Sequence, residues 1–69
     1  MQIQLNGEET TLVDNSTTAD LIAHLELTGK RLAVEVNHEI VPRSTFETHV
    51  LRAGDKVEIV HAIGGGSAA

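Results

Sequence analysis

Apolar residues fall at helical spacing in one stretch of this chain, Leu21, Ile22 and Leu25, and alternate in the segments on either side. One amphipathic helix among strands can bury its apolar stripe only against the face of a sheet, so the expected class is α+β. Thr17 with Asp20 three residues later has the form of a capping box, Asp standing for the usual Glu. The helix is therefore expected to run about ten residues, around Thr17 to Leu27, with Gly29 as its left-handed C-terminal cap.

The alternating segments read as strands. Ile3 and Leu5 share one face of the first, and Asn6-Gly7 is a strong hairpin signal because both residues tolerate positive φ. The return strand, Glu8 to Val13, is Thr-rich and offers Leu12 or Val13 to the core before Asp14-Asn15-Ser16 breaks it. After the helix, Leu32, Val34 and Val36 face inward, and Asn37-His38-Glu39 turns the chain into Ile40-Val41. Pro42 cannot donate to a sheet, so this fourth strand is short and lies at an edge. Ser44 to Glu47 forms a single helical turn with Phe46 plugging one end of the core, Ala53-Gly54-Asp55 is a turn, and Lys56 to Val60 is the last strand with Val57 and Ile59 inward. The order β-β-α-β-β-(helical turn)-β, with the regularly alternating first and last strands at the centre, is the ubiquitin-like β-grasp: a mixed sheet of about five strands with one main helix on one face. Residues 1–63 form this domain, and 64–69, Gly-Gly-Gly-Ser-Ala-Ala, a flexible tail without packing residues.

Size and charge narrow the function classes. A domain of 69 residues buries only about 60% of its unfolded surface. Without Cys, Trp or Tyr, its core is a thin aliphatic one, with little room for a deep pocket. A carrier or binding module fits better than a free-standing enzyme, and no catalytic residue stands out. Ten acidic side chains against five basic ones argue against a nucleic-acid partner. Apolar runs of two or three residues do not cross a membrane, and the first residues carry no secretion signal, so the cytoplasm is the expected location. His24, His38, His49 and His61 match no short metal-ligand spacing. Gly64-Gly65-Gly66 lacks the Lys-Ser/Thr and the following helix of a phosphate loop.

Three segments resemble the ThiS-type sulfur carriers of thiamine biosynthesis: Met1-Gln2-Ile3-Gln4-Leu5-Asn6-Gly7, the block from Ala33 to Arg43 with Val36-Asn37 and Ile40-Val41-Pro42-Arg43, and Leu51 to Gly66. The resemblance implies that the carboxylate of Gly66, preceded by Gly65, is adenylated with ATP by an E1-like partner enzyme. It is then converted to a thiocarboxylate that donates sulfur to a thiazole synthase, the sulfur coming from a separate donor protein. The carrier binds no cofactor tightly, because ATP belongs to the partner. Family members end at the second glycine of the pair; here Ser67-Ala68-Ala69 follow, so sulfur chemistry on Gly66 is expected only once they are removed. The molybdopterin-synthase small subunit resembles this chain in fold and tail but lacks the central block. A ubiquitin-like interaction module without sulfur chemistry is the alternative from another class.

Glycine suits such a tail for a physical reason. A carboxylate needs activation inside an enclosed site, and a chain without Cβ atoms can thread there in any conformation. The segment from Ala62 to Gly66 spans about 16–18 Å when extended. The helix covers one sheet face, leaving the other for partners, and Val60, Ala62, the tail-root Ile63 and Gly64 are the expected contact residues.

Overall fold

In the computed structural model, residues 1–61 are described, and the expected domain boundary at 63/64 lies outside them. Five strands, β1 (Gln2–Leu5), β2 (Glu8–Thr11), β3 (Leu32–Val36), β4 (Glu39–Ile40) and β5 (Lys56–His61), form one sheet in the order β2-β1-β5-β3-β4. A helix, α1 (Thr18–His24), and one 3₁₀ turn, Arg43–Thr45, complete the chain. β5 and β1 lie together at the centre, as the alternation predicts, and the structure adds their directions: β5 is parallel to β1 and antiparallel to β3. The core gathers Ile3, Val34, Val36, Val57 and Ile59 from the sheet with Leu21 and Ile22 of the helix, closed by Leu12, Val41 and Leu51. Between the two residues offered by the return strand, Leu12 is buried and Val13 is 81% exposed.

The helix is shorter than its apolar spacing predicts. Its start is as expected: the Thr17 hydroxyl accepts from the Asp20 N–H and the Asp20 carboxylate accepts from the Thr17 N–H. Its end comes at Leu25. Glu26, not Gly29, takes the left-handed position (φ 60°), the Glu26 N–H donates to the Ala23 carbonyl, and the Leu27 N–H donates to that of Ile22. This is the paired-bond helix stop that normally uses glycine. Fold-back places Leu27 beside Ile22 and leaves Leu25 half-buried. Gly29 (φ 84°) instead serves the next turn, where the Lys30 N–H donates to the Leu27 carbonyl.

Both hairpin turns place two successive residues at positive φ, Asn6 and Gly7 in one, Asn37 and His38 in the other, the geometry that matches strand twist. Their asparagines do more than turn the chain. The Asn6 N–H donates to the Val57 carbonyl and its Oδ1 accepts from the Ile59 N–H at 2.9 Å. On the other side, the Asn37 N–H donates to the Lys56 carbonyl, its Oδ1 accepts from the Lys56 N–H and its Nδ2 donates to Asp55. The central strand is thus gripped from both neighbours by side-chain amides. Asn6→Gly keeps the turn conformation and deletes only the amide; it is expected to cost about 1–3 kcal/mol, because a half-buried N–H loses its acceptor. Denaturant melts check this, and an unmoved midpoint would mean that water replaces the amide fully.

Candidate functional site

The site is built on the sheet face that α1 leaves open. Inward Val57 and Ile59 force Glu58 and Val60 of β5 to point outward, by the two-residue period of a strand; Val60 is 62% exposed. Directly paired residues share a face, so Ala33, opposite Val60, and Glu35, opposite Glu58, extend the surface across β3. Ile40, opposite Glu35 and 70% exposed, carries it to the edge strand. The face combines small apolar patches at Val60–Ala33 and Ile40 with charged positions: Glu35 opposite Glu58, and, by the register through Gln4, Lys56 and Glu9. Like charges directly opposite cost stability, and Lys56, two residues before Glu58 on the same face, supplies a cation of the chain's own.

Of the expected contact residues, Val60 stands on this face. Ala62, Ile63 and Gly64, and the expected sulfur-bearing Gly65 and Gly66, lie outside the described residues. Ala33 and Ile40 were not singled out by sequence reasoning. The signal was present: in a hairpin turning at Asn37-His38, the outward position opposite Glu35 must be Ile40.

The last described residue of β5, His61, pairs with Leu32 at the start of β3. Pro42 ends the edge strand as expected (φ −63°, ψ 145°), and Arg43 after it is not merely solvated, since its guanidinium donates to the Lys30 carbonyl at 2.9 Å. That bond ties the 3₁₀ turn to the loop between α1 and β3. Among the described residues, no three His, Asp or Glu side chains come together to hold a metal, and no helix is long and apolar enough to cross a membrane.

A five-stranded mixed sheet with β1 and β5 parallel at its centre, one helix on one face and a chain running out of the middle strand is a ubiquitin-like β-grasp domain. The comparisons make it specific. The model of the ThiS family matches residues 3–66. The crystal structure of the thiamine biosynthesis protein (ThiS) from Geobacter metallireducens superposes with a TM-score of 0.83 at 28% identity, over 96% of this chain and 100% of that one. The sulfur carrier protein ThiS of Bacillus subtilis is 38% identical over 93% of this chain and 98% of its own length. A thiazole synthase of Paramagnetospirillum magneticum is 42% identical over 97% of this chain, but the chain spans only 21% of that protein. The chain belongs to the ThiS family.

Proposed function

We propose that this chain is the sulfur carrier for thiazole formation in thiamine biosynthesis, with the Gly66 carboxylate as its reactive group. The observation that carries this is the extent of the family match, which runs from the first strand to Gly66 and stops there. A central strand feeding directly into the tail supports it: the domain gives a partner a rigid surface to grip while the thin end enters an enclosed site. The carboxylate attacks the α-phosphate of ATP held by an E1-like adenylating enzyme, releasing pyrophosphate. A persulfide on a sulfur donor protein then attacks the acyl adenylate and displaces AMP. A thiol cleaves the S–S bond of the acyl disulfide so formed and itself ends as a disulfide, and the thiocarboxylate released passes sulfur to a thiazole synthase. The thiazole synthase relatives, one-fifth of whose length this chain matches, support that partner. The domain needs no cofactor of its own, performs no catalysis alone, and works in the ATP-rich cytoplasm.

The test uses the chain ending at Gly66, incubated with ATP, the cognate adenylating enzyme, a persulfide donor and a thiol reductant, and followed by intact-mass spectrometry. A sulfur-for-oxygen mass increase that reverts on adding thiazole synthase and its substrates is the expected result. An unmodified chain beside a demonstrably active enzyme overturns the proposal in favour of an interaction module.

Docking on the open face is the second part of the proposal. Val60→Asp places a further carboxylate on the face, which must be desolvated against the enzyme. It is expected to weaken binding about ten-fold or more with an unchanged melting curve, since Val60 adds nothing to the core. Unchanged affinity in titration calorimetry would remove Val60 from the contact surface.

A further inference from the structure

On the helix side of the sheet, at the end where the tail leaves, lies an open groove of about 390 Å³. Ile22, Leu27, Leu32 and Phe46 form its apolar floor, and Lys30 and Arg43 stand on its rim. Two hydrogen bonds brace it: the Ala19 N–H donates to the Phe46 carbonyl, and the Arg43 guanidinium donates to the Lys30 carbonyl. The groove is therefore preformed, and a ligand entering it pays little to order its walls.

Its charge runs against that of the chain. With ten acidic and five basic residues overall, two of the five cations lie here against one lining acid, Glu47. Among the described residues neither cation is in an ion pair; the one present joins the Met1 ammonium to Asp14. The groove also lies next to the last described residue of β5, because Leu32, which lines it, pairs with His61. A protein that grips the tail is thus within reach of the groove around the sheet edge.

We propose that this groove receives a segment of the adenylating enzyme carrying a large apolar side chain next to a carboxylate. This rests on the sulfur-carrier reading above. The apolar side chain fills the floor between Ile22 and Phe46, and the carboxylate meets Lys30 and the guanidinium hydrogens of Arg43 not given to the Lys30 carbonyl. The interaction acts on binding and not on the chemistry of the tail, so it affects KM for the carrier and leaves kcat unchanged.

The test compares three forms of the chain ending at Gly66 in ATP–pyrophosphate exchange with the adenylating enzyme: unaltered, Lys30→Glu and Glu47→Lys. Both positions are exposed, and melting curves verify that each variant is folded. Lys30→Glu is expected to raise KM about five-fold and Glu47→Lys to lower it about two-fold, both effects fading in high salt, as for charges at the rim of an interface. Opposite signs are the signature, because general damage to the fold would raise KM in both. An unmoved KM in the Lys30 variant, or a rise in both, overturns the groove proposal while the unaltered chain still reacts. An effect that follows self-association of the carrier, seen by sedimentation, assigns the groove to a second copy and overturns it too. If the unaltered chain is not adenylated at all, the carrier reading itself fails and the groove proposal falls with it.

Discussion

Incubated with ATP, the adenylating enzyme and a persulfide donor, the 69-residue chain is expected to take up neither AMP nor sulfur, while the same chain ending at Gly66 takes up both. The difference should be all or none. In the longer chain the Gly66 carbonyl is an amide, with no free oxygen to attack the α-phosphate of ATP. The α-carboxylate of the 69-residue form is that of Ala69, which stands about 10 Å further along an extended chain, at about 3.3 Å per residue. To bring it to the reacting depth, Ser67, Ala68 and Ala69 would have to occupy positions suited to glycine, where a Cβ restricts φ and widens the chain. Intact-mass spectrometry on both forms reads the outcome directly. Equal modification of both would show that Gly66 is not the acceptor.

The second large effect is on stability. Leu21→Ala is expected to cost about 2–5 kcal/mol, as for other large aliphatic truncations in well-packed cores. Leu21 is fully buried at the centre of a core without Trp, Tyr or a buried Phe, so no large neighbouring ring can shift into the space. Ordinary domains of this size are stable by about 3–10 kcal/mol in all, so the variant would lie near its unfolding threshold at room temperature. Leu25→Ala serves as the internal comparison: half-buried beyond the last helical turn, it should cost well under half as much. Equal losses in urea melts would mean that Leu25 packs as tightly as Leu21.

These two leucines also show how far the sequence could be read. Their spacing announces a helix, and Thr17 with Asp20 gives its start, because capping is a local matter between residues three apart. The end was not legible in the same way. The sequence has a glycine at 29 and a glutamate at 26, and intrinsic preference puts the left-handed residue at the glycine. The chain does the opposite, because stopping at Leu25 turns Leu27 back onto Ile22, a tertiary gain that outweighs the strain at Glu26. Strand order and the short edge strand at Pro42 followed from alternation and from proline's missing donor. Val60 and Ala33 could be placed on the open face by parity alone, and Ile40 through the two-residue hairpin turn, whereas their adjacency across β5, β3 and β4 required the register of two strand pairs, which no single segment encodes. The groove was illegible for a further reason: its walls come from separate parts of the chain, and nothing in the sequence marks the bond from Arg43 to the Lys30 carbonyl, thirteen residues away.

The parallel pairing of β1 with β5 has a mechanical consequence. Gln2 opens β1 and His61 is the last residue of β5, so these two positions lie at opposite ends of the strand axis. A pull on the tail loads the hydrogen bonds between these strands in shear. They bear the force side by side and must yield together, whereas a pull across the strands would open them one at a time. Asn6 adds its amide to the same seam, and the five register pairs with β3 share the load on the other flank. A pull along the strand axis at His61 therefore meets shear and does not peel β5 from its neighbours.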